Sequence, residues 1–130
     1  MIKVLVIDDS PIQQRLAKIY LAQEEMETIH AKNGKEGIET AIDNRPDLIV
    51  LDIEMPEMDG IETLRNLKLI EETKNIPVMM CSSLRDEEIV VECLAIGAAG
   101  YVCKPHGFRG FRDSVKSILP ETKIKNGEPA

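Results

Sequence analysis

Four apolar runs in this chain each stop at a polar side chain able to do chemistry. "IKVLVI" (2–7) leads into Asp8 and Asp9, "LIVL" (48–51) into Asp52, "VMMC" (78–81) into Ser82 and Ser83, and "GYVC" (100–103) into Lys104. A buried, unpaired carboxylate is expensive. Asp52 therefore either caps the next element or sits at a strand end to react. Three carboxylates about 4 Å apart repel by roughly 4 kcal/mol per pair at an effective dielectric near 20, so they stay ionised together only with positive charge among them. Lys104 supplies one unit and a divalent ion supplies two. An all-oxygen donor set without His or Cys points to a hard cation, Mg²⁺ before Ca²⁺.

Taken singly, each residue also has an ordinary reading. Asp8 or Asp9 could belong to a turn, Ser82 could cap a helix, and Lys104 could be a solvated loop lysine. Their joint arrival at four strand ends is what chance does not readily produce. Whether they meet depends on the elements that carry them.

Those elements alternate. Strands are expected at 2–7, 28–31, 47–52, 76–81 and 99–103, with helical patterns between them. Ser10 reads as an N-cap, Pro11 as the first helical residue, and Gln13 as the partner in a capping box. Ile12, Leu16, Ile19 and Tyr20 give that helix one apolar face. "NG" at 33–34 reads as a turn, with Ile38, Ala41 and Ile42 on the helix after it. Asp59 and Glu62 form a second capping box ahead of Ile61, Leu64 and Leu67. A helix over 86–96 closes at Gly97. Phe108, Phe111, Val115 and Ile118 mark the last helix, which Pro120 stops. The pattern is (βα)5. Strands apolar on both faces require helices on both faces and hence a parallel sheet. Right-handed crossovers favour the flavodoxin-like three-layer α/β sandwich, strand order 2-1-3-4-5, with ligands beyond the carboxyl ends of the strands. In that order strands 1, 3, 4 and 5 are neighbours, so the polar residues gather on one side of the edge.

With 130 residues, one domain is expected, from 1 to 120, followed by a tail or linker start over 121–130. At 43% hydrophobic and 3% aromatic the core must be aliphatic. A net charge of -7 argues against a nucleic-acid binder, which usually shows a basic face. Cys81, Cys93 and Cys103 lack metal or redox spacing and read as reduced, buried thiols, which fits a cytoplasmic protein. No signal peptide or membrane-spanning run is visible. His30 and His106 are too far apart in the pattern to form a metal pair.

"VLVIDDSP", "LIVLDIEMPEMDG", "PVMMCSS" and "GYVCKP" together resemble the CheY-like receiver domain of two-component response regulators, collinearly over residues 1 to about 120. The family shares the 2-1-3-4-5 order, so pattern and resemblance are not independent on that point. The resemblance implies that Asp52 is the phosphoacceptor for a sensor histidine kinase or phosphotransfer protein. It implies that Asp9 and Asp52 ligate Mg²⁺ directly, with Asp8 acting through water and the Glu54 backbone carbonyl as a further ligand. Lys104 would pair with a phosphoryl oxygen, Ser82 would hydrogen-bond another, and Tyr101 would rotate inward as Ser82 moves. Lys104–Pro105 would be a cis peptide. Glu54 and Leu84 stand where the family tunes the lifetime of the phosphoryl group. The implied protein is a phosphoacceptor that catalyses its own phosphorylation and dephosphorylation. It is not an enzyme on a separate substrate, and it acts through its helix 4–strand 5–helix 5 surface on a protein partner, as a monomer or a phosphorylation-dependent dimer. Arg109, Arg112 and Lys116 read as a basic stripe on the last helix, either solvated or part of that surface.

Two enzyme or carrier readings compete. A haloacid-dehalogenase-type phosphatase wants Asp-x-Asp after the first strand, whereas this chain has adjacent aspartates there. A flavodoxin needs a Ser/Thr/Gly-rich phosphate loop that "DDSP" does not make. Within the family, a stand-alone receiver, as in chemotaxis, is favoured over a receiver cut from a chemotaxis methylesterase or a transcription factor.

Overall fold

The strands form where aliphatic and β-branched residues run together, and they end where polar residues interrupt them. A computed structural model describes residues 1–103 and 111–119. Its elements are β1 (Lys3–Ile7), α1 (Pro11–Gln23), β2 (Glu27–Ala31), α2 (Gly34–Asn44), β3 (Leu48–Leu51), α3 (Gly60–Leu69), β4 (Val78–Ser82), α4 (Glu87–Ile96), β5 (Gly100–Cys103) and α5 (Phe111–Ile118). All neighbouring strands are parallel, in the order β2-β1-β3-β4-β5. The expected architecture is the observed one. Register is what matters for function: Ile7 pairs with Leu51, Leu51 with Met80, and Met80 with Tyr101. Four strands thus reach the carboxyl edge at one level.

The side-chain alternation of the strands splits the core in two. Val4, Val6, Leu48, Val50, Met79 and Cys81 pack with Ala17 and Leu21 of α1 and with Leu119 beyond α5. Leu5, Ile7, Ile49, Leu51, Val78 and Met80 pack with Ala41 of α2, Leu64 and Leu67 of α3, and Cys93 of α4. Each fully buried aliphatic side chain contributes about 1.5–3 kcal/mol. That makes the sheet a stiff base for whatever its edge carries. No described helix is long and apolar enough to cross a membrane.

Several expectations need correction. Ile12, Leu16, Ile19 and Tyr20 do not face the core: they are 72%, 38%, 49% and 42% exposed, while α1 buries Ala17 and Leu21. Both stripes satisfy helical spacing, and the inward one is the smaller, which lets the helix lie close to the sheet. "NG" is not a free turn. Asn33 caps α2, its Oδ1 accepting from the Glu36 amide at 2.8 Å, and Gly34 is the first helical residue. Cys81 and Cys93 are buried free thiols, but Cys103 is only half-buried. Phe108 and Pro120, and the side chains of Phe111 and Val115, lie outside the described residues.

Gly60 shows how closely α3 meets β3. A Cβ there would lie 2.1 Å from the Asp52 carbonyl oxygen and 2.6 Å from the Ile53 Cα, both backbone atoms that cannot yield separately. Gly60→Ala should therefore destabilise the fold by about 1–3 kcal/mol, the usual range for overpacking. Urea unfolding measures it; an unchanged midpoint would mean that α3 can move away freely.

Candidate functional site

Asp8 and Asp9 follow β1, and Asp52 follows the neighbouring β3. Their carboxylates come together, one oxygen from each lying within 4.8 Å of the others. The backbone explains the meeting. The Asp52 amide donates to the Ile7 carbonyl at 3.0 Å, and the Asp8 amide to the Ala31 carbonyl at 3.0 Å, so the ladders continue one residue past the strands. Asp8 and Asp52 are 6% and 5% exposed, whereas Asp9 is exposed. Two carboxylates thus line the floor of the site and one stands at its rim. The Asp8 Oδ1 also accepts from the Ser10 amide at 2.9 Å. This alters the expected capping box. Ser10 does cap α1, accepting from the Gln13 amide at 3.3 Å, but its own N–H goes to Asp8 and not back to Gln13. An ionised oxygen two residues away outcompetes a neutral amide.

At 4.8 Å each pair of charges repels by about 3.5 kcal/mol at an effective dielectric near 20. The donors are all oxygens, close together and open on the Asp9 side, which fits a hard divalent cation that keeps part of its water shell.

The hydroxyl side of the site is equally well connected. Ser82 ends β4 fully buried, and its Oγ accepts from the Leu84 amide at 3.2 Å. The Tyr101 hydroxyl donates to the Leu84 carbonyl at 2.7 Å. Burial pushes the Tyr101 hydroxyl above its ordinary pKa, against a smaller downward pull from a hydrogen bond with Ser82. It therefore stays protonated and a donor. Ser82, Leu84 and Tyr101 form one connected group spanning β4, the following loop and β5. The next residue, Ser83, donates from Oγ to Glu54 Oε1 at 2.6 Å.

The structure thus brings Asp8, Asp9 and Asp52 together, and places Ser82 and Tyr101 in mutual contact. Lys104 and Pro105, with their expected cis peptide, lie outside the described residues, as do His106 and Arg109 and the side chains of Arg112 and Lys116. Sequence reasoning missed the role of Gly60. Its signal was present in "MDG", where Asp59 caps α3 by accepting from the Glu62 amide at 2.9 Å and the next residue must lack a Cβ.

The chain matches the model of the response regulator receiver domain over residues 4–116. It is 44% identical over 108 residues to a protein-glutamate methylesterase/protein-glutamine glutaminase of Archaeoglobus fulgidus, a match covering 81% of this chain and 30% of that protein. It is 35% identical over 130 residues to the transcriptional regulatory protein SrrA of Staphylococcus aureus, covering 98% of this chain and 53% of SrrA. The chain therefore spans a third to a half of these curated relatives. Among solved structures, the chemotaxis protein CheY4 of Vibrio cholerae superposes with a TM-score of 0.86 at 28% identity, covering 92% of this chain and 99% of that one.

The carboxylate cluster makes a stability prediction. Without divalent ions, Asp9→Asn should raise the unfolding free energy by about 1 kcal/mol, because it relieves repulsion at a partly solvated rim. Millimolar Mg²⁺ should stabilise the wild type and should do so less for the variant. Identical urea curves for both proteins, with and without Mg²⁺, would count against a cation site.

Proposed function

This chain belongs to the response regulator receiver domain family, and from that premise we propose that Asp52 accepts a phosphoryl group from a phosphohistidine on a sensor histidine kinase or phosphotransfer protein. The receiver is a signalling module, not an enzyme that turns over a separate substrate. The observation that carries the proposal is the meeting of Asp8, Asp9 and Asp52 at two neighbouring strand ends, with Asp52 held on the floor of the site.

The chemistry asks little covalent help from the protein. A carboxylate oxygen of Asp52 attacks phosphorus. The new O–P bond forms as the N–P bond breaks, and its electron pair stays on the imidazole. Such transfer depends on in-line positioning and charge compensation. Asp8, Asp9 and Asp52, with the Glu54 backbone carbonyl, would hold Mg²⁺, which when bound offsets charge on the carboxylates and the phosphoryl oxygens. Lys104, next in the chain after β5, would pair with a phosphoryl oxygen. The exposed apolar face of α1 starts just after the Asp8–Ser10 turn. A donor protein could bear on it while presenting its phosphoryl group to Asp52.

The output follows from the Ser82–Leu84–Tyr101 group. A phosphoryl group on Asp52 carries about two negative charges and adds strong acceptors. Ser82 turns its hydroxyl to one of them and leaves Leu84. Tyr101, whose hydroxyl already meets the Leu84 carbonyl and Ser82, then re-seats as Ser82 leaves, altering the helix 4–strand 5–helix 5 surface that a protein partner reads. Free thiols and a kinase partner suit a cytoplasmic protein. CheY4 is matched over nearly its whole chain, while the methylesterase and SrrA continue well beyond the match. The proposal is therefore confined to the receiver and its control of a protein partner.

Incubation with acetyl phosphate and Mg²⁺ should add one base-labile phosphoryl group by intact mass. Asp52→Asn should show none, and excess chelator should abolish the gain. Robust transfer in chelator would sink the metal assignment, and phosphorylation of Asp52→Asn would move the acceptor elsewhere.

A further inference from the structure

The inward face of α1 carries a polar residue that core packing does not explain. Gln14 stands one turn before Ala17, on the side that meets β1 and β2. Its Nε2 donates to the Asp8 carbonyl at 2.7 Å and to the Ala31 carbonyl at 2.9 Å, with the Val6 carbonyl at 3.4 Å. Its Oε1 meets His30 Nδ1. With three carbonyls around the nitrogen, the amide has one sensible orientation, so Oε1 is the acceptor and His30 Nδ1 carries the proton. Partial desolvation on its Gln14 side, aided by the nearby Lys18, holds the largely exposed His30 below its ordinary pKa.

The Asp8 carbonyl is the critical partner. It lies one residue past the paired region of β1, whose register ends at Ile7 with Ala31. The peptide plane that carries this carbonyl joins the Cα atoms of Asp8 and Asp9. A displacement of that peptide would carry both Cα atoms, and with them the two carboxylates, relative to Asp52. Gln14 pins the plane to β2.

We propose that Gln14 is a positioning residue of the carboxylate site, holding the Asp8–Asp9 peptide in the geometry that binds a divalent cation, and that His30 clamps the Gln14 amide from outside. This rests on the receiver reading given above. It concerns a residue that touches neither the ion nor the phosphoryl group, and it acts through outer-shell support of the kind that commonly tunes metal affinity.

The test is direct Mg²⁺ titration by calorimetry on the full chain, with urea unfolding alongside. Gln14→Met keeps the length and removes the donors; it should weaken Mg²⁺ binding by about tenfold. Gln14→Arg, which restores N–H donors, should recover most of that loss. His30→Leu should weaken binding by a smaller factor in the wild-type background and by nothing further when combined with Gln14→Met. Should Gln14→Met fail to fold, Gln14→Arg against His30→Leu carries the comparison, since His30 is exposed. A Gln14→Met protein that is less stable yet binds Mg²⁺ within about twofold of the wild type would show a merely structural staple and overturn the proposal. Additive losses from the two variants would overturn the clamp. A wild type that takes up no Mg²⁺ would overturn the receiver reading of the site as well, which separates the two failures.

Discussion

Repulsion among three carboxylates is the constraint around which the rest of this molecule is arranged. Asp8, Asp9 and Asp52 would separate if they stood on flexible loops. They are held together because β1 and β3 are adjacent parallel strands in register, and because main-chain hydrogen bonds continue to Asp8 and Asp52 themselves. The two cores hold the sheet from both sides. Electrostatic tension is thereby kept at an edge that the packed interior cannot relax. Such tension is the ordinary condition of a site that gains a cation.

Each neighbouring element contributes to holding that edge. The chain after β3 turns back, with the Gly60 amide donating to the Ile53 carbonyl at 2.9 Å and α3 starting against the Asp52 backbone. Glu57 accepts a left-handed backbone, φ 69°, inside this turn. On the far side, Ser82 and Tyr101 share the backbone of Leu84. The end of β4 is thereby tied to β5 through two hydrogen bonds, without crossing the core.

Helix α1 shows where one-dimensional reasoning misleads. Ile12, Leu16, Ile19 and Tyr20 form the more apolar stripe, yet the buried stripe contains Gln14, Ala17 and Leu21, with Gln14 only half-buried. The large apolar stripe would hold the helix away from the sheet. The small one brings Gln14 to the carbonyls at the ends of β1 and β2. Hydropathy ranks residues by their cost in water and carries no information about unsatisfied carbonyls on another element.

Much of the site was legible in the chain itself. The alternation of apolar runs with helical patterns implies a parallel sheet, and the parallel sheet places Asp8, Asp9, Asp52, Ser82 and Tyr101 by their offsets from strand ends. The caps at Ser10, Asp59 and Gly97 were equally readable, because capping depends on residues three or four apart. Cross-element distances were decided only by the tertiary structure. They chose which face of α1 is buried, turned the Ser10 amide to Asp8, set Gly60 against Asp52, joined Tyr101 to Leu84 and brought Gln14 to the Asp8 carbonyl. The reason is physical: local periodicity is written in neighbouring residues, whereas the partner of a hydrogen bond between elements exists only once the helices have settled on the sheet.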